Sequence, residues 1–224
     1  NESLQSVVSA IAYLRNPLGA YGTGVFVSPY HVLTTNHVLQ AVGCSPAVTV
    51  QTEVQAGETP RPRGRNVRCS DVIFFDEALD VALVATDRAV RDYLPLSTDS
   101  DPTIASTEVF LAGYTTQALI GYADSCNITA RQGPYRDFYT PGQAMINLND
   151  YFMTDCLHAP DMGGGVVIGV EGRDSRPNVI GLVSMIVPSG GLAVGAAHVR
   201  LWDVMQRYPD EFDEVLSLAG SRWP

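Results

Sequence analysis

The sequence predicts an all-β fold, a sandwich or a barrel, that ends in a helical segment. Most of the chain consists of short apolar segments separated by turn residues, and its 224 residues include 20 Gly and 14 Pro. Helical spacing of apolar residues occurs only near the C terminus. The composition is 46% hydrophobic and 17% charged, which is ordinary for a globular protein with a sizeable core. The length allows one large domain or two small ones.

Two sets of predicted strands follow one another along the chain. Runs of apolar residues bounded by Gly, Pro, Asn and Asp indicate each strand. The first set comprises Ser6–Leu14, Thr23–Ser28, Val32–Thr35, Ala47–Thr52, Val72–Phe75 and Val81–Ala85. The second set comprises Glu108–Ala112, Leu119–Ala130, Ala144–Leu148, Tyr151–Thr154, Val166–Val170, Val179–Val187 and Leu192–Ala196. We expect the polar segment Thr98–Ser106 to link the two sets.

The C-terminal segment is the one stretch with helical periodicity. Apolar residues recur near helical spacing from Val199 to Tyr208. Pro209 then interrupts the pattern, and Glu211–Ala219 resumes it for a turn or two before Gly220. The sequence therefore predicts helix at this end and nowhere else.

Charge and cysteine content restrict the classes of function. Fourteen basic and 24 acidic residues give a net charge of −10, which disfavours nucleic acid and anionic membranes as partners. No apolar run approaches the length that spans a bilayer, so we expect no membrane insertion. The four cysteines have no C-x-x-C or zinc spacing, which favours two disulfides in an oxidising compartment over four buried thiols. The chain begins at Asn1 without a basic-then-apolar leader, and we interpret it as a mature or trimmed form of a secreted protein.

Two residues beside predicted strands are candidates for chemistry. His37 follows an apolar strand that ends in small polar residues, so it lies at the edge of the core; a purely structural role is the alternative. Asp80 opens the strand Val81–Ala85, where a partly buried carboxylate needs a hydrogen-bond donor. An imidazole N–H is one such donor, and the pair would orient the ring. Backbone N–H groups of a turn are the alternative donors.

A glycine-rich loop, Pro160–Gly165, precedes the predicted strand Val166–Val170. Glycine tolerates positive φ and lets another backbone approach closely. Such a loop suits a site where a substrate carbonyl must come near backbone N–H groups.

Several segments, in chain order, resemble motifs of the chymotrypsin/trypsin-like serine proteases. Tyr21–Ser28 resembles the glycine-bearing strand of that family, Val32–His37 its V-L-T-A-A-H motif and Leu79–Leu83 its D-I-A-L-L motif. Thr154–Val167 resembles the D-C…P-G-x-S-G-G-P-V pattern of the glutamyl-endopeptidase-like branch. Ile180–Ser184 resembles the strand behind the catalytic triad. Together these segments span most of the chain.

The resemblance implies two six-stranded antiparallel β-barrels with a C-terminal α-helix and an active site in the cleft between the barrels. We expect the first barrel in residues 1–100 and the second in residues 101–197, followed by a helical segment in residues 198–224. The first barrel would carry His37 and Asp80, and the second would carry the nucleophile loop.

The resemblance also implies the disulfides. It pairs Cys126 with Cys156 beside the nucleophile, and Cys44 with Cys69 after the histidine segment. Each disulfide would contribute on the order of 3 kcal/mol of stability.

Site roles follow from the same resemblance. His37 and Asp80 correspond to two members of the triad, and Gly163 occupies the position where the nucleophilic serine is expected. Backbone N–H groups of Asp161 and Gly163 would form the oxyanion hole. No Ser or Thr lies within residues 160–170, so no neighbour replaces the nucleophile. Val166 also stands where the family has proline.

The family's substrate pocket can be carried over in the same way. Leu157 and His158 would lie at its base, and Ser184, Met185 and Ile186 would form the strand that pairs with the substrate. Ile186 stands where glycine leaves an open pocket, so we expect a small or apolar side chain before the scissile bond.

These expectations lead to a functional prediction. Without a hydroxyl at Gly163, His37 has nothing to deprotonate and no acyl-enzyme can form. The sequence therefore predicts a trypsin-like serine endopeptidase homologue that is inactive as written, by engineered or natural loss of the serine. The alternatives are a natural pseudoprotease that binds a peptide or protein in the cleft, and an active hydrolase with a displaced nucleophile. We expect no metal and no cofactor, because the sequence has neither a ligand cluster nor a phosphate-binding loop.

Overall fold

A computed structural model describes residues 7–51, 54–55, 61–62, 67–96, 108–115, 118–120, 125–130, 138–139, 145–146, 151–156, 163–171, 176–189 and 192–220. The strands of the first half are β1 Ile11–Arg15, β2 Tyr21–Phe26, β3 His31–Thr34, β4 Thr49–Gln51, β5 Val54–Gln55, β6 Arg61–Pro62, β7 Val67–Asp76 and β8 Val81–Thr86. Those of the second half are β9 Glu108–Thr115, β10 Ala118–Ile120, β11 Ser125–Ala130, β12 Phe138–Tyr139, β13 Met145–Ile146, β14 Tyr151–Thr154, β15 Val166–Glu171, β16 Arg176–Ser189 and β17 Leu192–Arg200. The helices are α1 Asn36–Val42, α2 Leu201–Arg207 and α3 Pro209–Gly220.

The long strands close into two antiparallel barrels. The first barrel has the order β1-β2-β3-β8-β7-β4. In the second sheet, β9-β11-β14-β17-β16-β15 closes on itself through pairing of β15 with β9, while β10 extends β9 as a hairpin. The expected pair of six-stranded antiparallel barrels with a helical C terminus is confirmed.

An apolar core fills the space between the two barrels. Val25 and Leu83 of the first barrel belong to the same buried cluster as Ala112 and Val166 of the second. Strands such as β1 and β8 are buried on both faces, since one face points into the barrel and the other packs outside it. This packing fixes the two barrels against each other.

The C-terminal helices connect the second barrel back to the first. Helix α2 follows β17 directly, and α3 begins at Pro209, a residue suited to the first helical turn. The ring of Phe74 in β7 lies 4.6 Å from the ring of Tyr208 and 6.1 Å from that of Phe212. The interrupted helix predicted for this region is therefore present, and it packs against the first barrel.

The structure corrects two expectations about local structure. Helix α1 was not predicted, because its seven residues carry only two buried apolar side chains, Val38 and Val42, which is too few for a periodic signal. Residues 7–10 are helical, although Ser6–Leu14 was expected to be a strand throughout; an apolar run of that length is compatible with either period. The predicted linker Thr98–Ser106 lies outside the described residues.

One buried histidine makes stability depend on pH. His31 is 3% exposed, and its Nδ1 atom lies 2.7 Å from the hydroxyl of Ser28. Burial lowers the pKa of His31 below its ordinary 6.5, and Glu214 opposes this partly. As the pH falls, the imidazole of His31 is therefore protonated in the unfolded chain before it is protonated in the folded one. The contribution of His31 to the free energy of unfolding is thus fully present above pH 6.5 and is lost as the pH falls below 6.5.

We expect His31→Gln to flatten this acid loss of stability. The check is urea unfolding of both proteins at pH about 7.5 and about 5.5. An equal fall in the free energy of unfolding in the two proteins would contradict the assignment to His31.

Candidate active site

The side chains of His37 and Asp80 form a hydrogen-bonded pair. His37 Nδ1 lies 2.8 Å from Oδ2 of Asp80, and the backbone N–H of His37 donates to Oδ1 at 2.9 Å. A carboxylate only accepts, so Nδ1 is the protonated nitrogen and Nε2 keeps its lone pair in the neutral ring. The Asp80 side chain is 12% exposed, whereas that of His37 is 49% exposed. The pair thus has a sheltered acceptor and an accessible imidazole edge.

Strand pairing explains why these two residues meet. Thr34 at the end of β3 lies opposite Ala82 near the start of β8. His37 follows β3 in the first turn of α1, and Asp80 immediately precedes β8. The antiparallel register therefore brings the two side chains to the same end of the barrel.

Asp80 adopts a left-handed backbone conformation with φ of 55°. Aspartate tolerates this region better than most residues, but the surroundings must hold it there. The preceding turn is tied by three hydrogen bonds: Leu79 N–H to Asp76 Oδ1, Tyr208 OH to Asp76 Oδ2, and Tyr151 OH to the Leu79 carbonyl, at 2.9, 2.6 and 3.1 Å. Two of the three donors come from the second barrel and the C-terminal segment. The Asp80 turn is thus positioned by residues far away in sequence.

Ser184 of β16 adds a third hydrogen bond to the Asp80 carboxylate. Its hydroxyl donates to Oδ2 at 2.5 Å. The carboxylate therefore accepts from the backbone and ring of His37 and from Ser184, which satisfies a largely buried charge. The hydrogen bond from Ser184 also joins the second barrel to the His37–Asp80 pair.

Gly163 lies directly against the imidazole. A β-carbon built on Gly163 would stand 2.5 Å from Nε2 of His37. The carbonyl of Gly163 accepts a 3.0 Å hydrogen bond from the backbone N–H of Thr23 in β2. Any side chain at position 163 would therefore meet the nitrogen that faces away from Asp80.

The neighbouring Gly164 makes this close approach of the loop to β2 possible. Its φ is 75°, and a β-carbon there would collide with the backbone oxygen of Thr23. Its N–H donates to the carbonyl of Val183, and Val183 N–H donates to the carbonyl of Gly165. The loop is thus fixed between a strand of each barrel.

The structure brings together four of the residues singled out in the sequence: His37, Asp80, Gly163 and Ser184. Met185 and Ile186 continue β16 beyond Ser184. The remaining candidates, Leu157, His158 and Asp161, lie outside the described residues. Tyr151 and Tyr208 were not singled out, because their partners are 72 and 132 residues away and no local pattern marks them.

Both disulfides are present. Cys44 pairs with Cys69 across 25 residues, and Cys126 pairs with Cys156 across 30. Two disulfides are consistent with an extracytoplasmic protein.

Over the described ranges, no group of three or more His, Cys, Asp or Glu is placed to hold a metal ion. None of the helices in the described part of the chain has the length and apolar character needed to cross a membrane.

The contact between Tyr208 and Asp76 predicts an alkaline loss of stability. The hydrogen bond to Asp76, followed by burial, raises the pKa of Tyr208 above its ordinary 10.0. The folded state therefore disfavours the phenolate, so this stabilisation is present below pH 10.0 and is lost as the pH rises beyond it.

We expect Tyr208→Phe to lower the free energy of unfolding by about 1 kcal/mol at neutral pH and to weaken the alkaline loss. Tyr30→Phe is the matched control, since Tyr30 is an exposed tyrosine just before β3 of the first barrel. Equal effects of the two substitutions in urea unfolding, both at neutral pH and at a pH above 10.0, would refute a specific role for Tyr208.

Comparison with known proteins supports the two-barrel fold and identifies a family. A family model described as a trypsin-like peptidase domain matches residues 22–182, which is more than half of the chain. Among solved structures, the chain is similar to the apo form of the MamO protease domain from Magnetospirillum magneticum, with a TM-score of 0.63 and 14% sequence identity. That match covers 90% of this chain and 97% of the other, and at such low identity it shows the fold alone. No curated protein sequence matches the chain. From the family match and the shared two-barrel fold, the chain belongs to the trypsin-like peptidase domain family.

Proposed function

We propose that this chain is a trypsin-like serine endopeptidase homologue that does not cleave peptide bonds as written, because Gly163 stands at the position of the nucleophile. The observation that carries this proposal is the 2.5 Å between Nε2 of His37 and a β-carbon at residue 163. A serine there would present its hydroxyl to an imidazole that Asp80 already orients. His37 and Asp80 form a hydrogen-bonded pair, and the serine hydroxyl that this pair would activate is absent.

The missing hydroxyl removes most of the catalytic power. Without it no acyl-enzyme forms, and a site of this kind retains roughly 10³–10⁴-fold acceleration over water from its oxyanion hole and binding contacts. In our proposal the backbone N–H groups of Asp161 and Gly163 form that hole. Such a residual factor is negligible for a peptide bond, whose uncatalysed hydrolysis is very slow.

The second candidate function is binding of a peptide or protein in the cleft between the barrels. It is favoured by the open side of β16: β15 pairs with β16 only as far as Leu182, whereas β17 pairs with it as far as Ser189. Among the described residues, the segment from Ser184 to Ser189 therefore has one edge without a strand partner. An extended peptide can add to such an edge through main-chain hydrogen bonds.

We assign Ser184, Met185 and Ile186 to this peptide-binding edge, with Leu157 and His158 at the base of the pocket. The expected ligand has a small or apolar side chain at the pocket. The two disulfides support a protein that functions outside the cytoplasm, and we propose that it is secreted.

An active-site phosphonate probe for serine hydrolases tests the proposal. The chain as written and its Gly163→Ser variant are both treated with the probe, and covalent labelling is read by mass spectrometry. Labelling of the variant alone supports an intact site that lacks its nucleophile. Labelling of the unaltered chain overturns the inactivity, and labelling of neither protein favours the binding module.

A further inference from the structure

Nε2 of His37 occupies the space that a serine side chain would need. When a serine hydroxyl is hydrogen-bonded to Nε2 at an ordinary length, the serine β-carbon lies about 3.3 Å from Nε2. Here Nε2 stands 2.5 Å from the β-carbon position of Gly163. The ring nitrogen therefore lies within the volume of the missing hydroxymethyl group, where an attacking oxygen would otherwise be.

We propose that Nε2 of His37 is itself a nucleophile toward activated esters, which gives this chain an aryl esterase activity that uses no serine. This activity goes beyond the proposed loss of peptidase function and has a different covalent intermediate, an acyl-imidazole on His37.

The hydrogen bonds of His37 suit this role. Because Nδ1–H donates to Asp80, the lone pair of the neutral ring resides on Nε2. The same carboxylate stabilises the positive charge that develops on the ring as Nε2 bonds to carbon. Ser184 holds that carboxylate in place from the second barrel.

Accessibility selects His37 among the described histidines. Its side chain is 49% exposed, whereas His31 is 3% exposed and His198 is fully buried. The chain also contains no lysine, so the basic side chains that could compete for an acyl group as amines are absent from the whole sequence. Among the described residues, an ester beside the glycine loop thus meets one accessible imidazole, that of His37.

The reaction balances without any further reagent. With p-nitrophenyl acetate, the Nε2 lone pair bonds to the carbonyl carbon, and collapse of the tetrahedral adduct breaks the bond between that carbon and the aryloxy oxygen to release p-nitrophenolate. The acetylated ring loses its Nδ1 proton to Asp80 or to solvent. Water then adds to the acetyl carbon, and the bond from that carbon to Nε2 breaks, so that acetate leaves and Nε2 regains its lone pair. One proton of the water returns to Nδ1 and the other goes to solvent. The sum is one ester and one water converted to acetate, p-nitrophenolate and two protons.

The same chemistry explains why peptides are not cleaved. An amine leaves a tetrahedral adduct only when it is protonated, and in serine proteases the imidazole delivers that proton. In the present case Nε2 is bonded to the acyl carbon and has no proton to give. The activity is therefore confined to esters whose leaving group departs as a stable anion.

The test measures p-nitrophenolate release by the full chain and traps the intermediate by acid quenching. We expect His37→Gln to lower the protein-dependent rate at least tenfold, and His31→Gln, which alters a buried imidazole, to leave it unchanged. Mass spectrometry of the quenched, unaltered chain should find one acetyl group on the peptide that contains His37. An acetyl group elsewhere, or a rate that survives His37→Gln, overturns the proposal.

A second variant tests the geometry without touching the imidazole. Gly163→Ala places a methyl group against Nε2 and supplies no nucleophile, so we expect it to reduce ester turnover several-fold. An unchanged rate in this variant overturns the proposed placement of Nε2. This outcome is independent of the phosphonate test. Phosphonate labelling of the unaltered chain would refute the proposed loss of peptidase activity. The esterase proposal would still be decided by which residue carries the acetyl group.

Discussion

The Gly163→Ser protein is expected to cleave peptides at least about 10⁴-fold faster than the chain as written. Removing the serine of a triad lowers kcat by roughly 10⁶, and restoring it should recover much of that factor where the partner groups remain. His37 is already oriented through Nδ1 by Asp80, and the loop carrying residue 163 is tied to Thr23. Under our proposal, the new hydroxyl therefore supplies the group that His37 and Asp80 would activate.

The recovery is limited by the position of the imidazole. A β-carbon at residue 163 requires Nε2 of His37 to withdraw by almost 1 Å from its present place. Nε2 is the outer edge of a ring that the hydrogen bond to Asp80 holds only at Nδ1, so a small tilt suffices. The backbone conformation of Gly163 raises no objection, because its φ is not among the positive values.

Two controls separate the hydroxyl from the crowding. Gly163→Ala imposes the same displacement of Nε2 without a nucleophile, and we expect it to remain inactive on peptides. His37→Ala in the Gly163→Ser background should remove the gain. The measurement is kcat/KM on peptides that carry small apolar residues before the scissile bond. Equal rates for the serine and alanine variants would contradict the prediction, because they would show that a hydroxyl at residue 163 does not restore peptide cleavage.

Local sequence patterns were enough to predict some of this structure. Both barrels are built from short apolar segments with clear turn residues between them. His37 follows one such segment and Asp80 immediately precedes another. What escaped prediction depends on contacts between distant residues. Helix α1 is short and stabilised by its place on the barrel, and the left-handed Asp80 turn is held by Tyr151 and Tyr208. Propensity and periodicity carry no information about such partners.

The three consecutive glycines are a second case in which the sequence predicts the local structure but not the contacts with distant residues. The sequence indicates a loop that another backbone can approach, but it does not distinguish the glycines from one another. In the structure Gly164 is required by its positive φ and by Thr23, whereas Gly163 has no such requirement and faces the imidazole. One glycine is therefore needed by the fold, and the other stands at the position where our proposal expects the nucleophile.

Gly164→Ala is expected to cost about 2–5 kcal/mol of the free energy of unfolding. A left-handed conformation is unfavourable for alanine by about 1–2 kcal/mol, and a β-carbon forced against the backbone oxygen of Thr23 adds about 1–3 kcal/mol. Backbone cannot yield as a flexible side chain does, so the loop itself must move away from β2. This movement would break the hydrogen bond between Thr23 N–H and the carbonyl of Gly163.

Gly19→Ala is the matched control for this prediction. Gly19 has a φ of 94°, but a β-carbon there would meet nothing within 4 Å, so the substitution adds conformational strain without a collision. We expect it to cost about 1 kcal/mol in urea unfolding, and the difference between the two alanine variants measures the close approach of the loop to β2. In the Gly163→Ser background, Gly164→Ala should also abolish phosphonate labelling, because the hydroxyl would leave the reach of His37. Similar destabilisation by both substitutions, with labelling retained, would mean that contact with Thr23 does not set the position of the nucleophile loop.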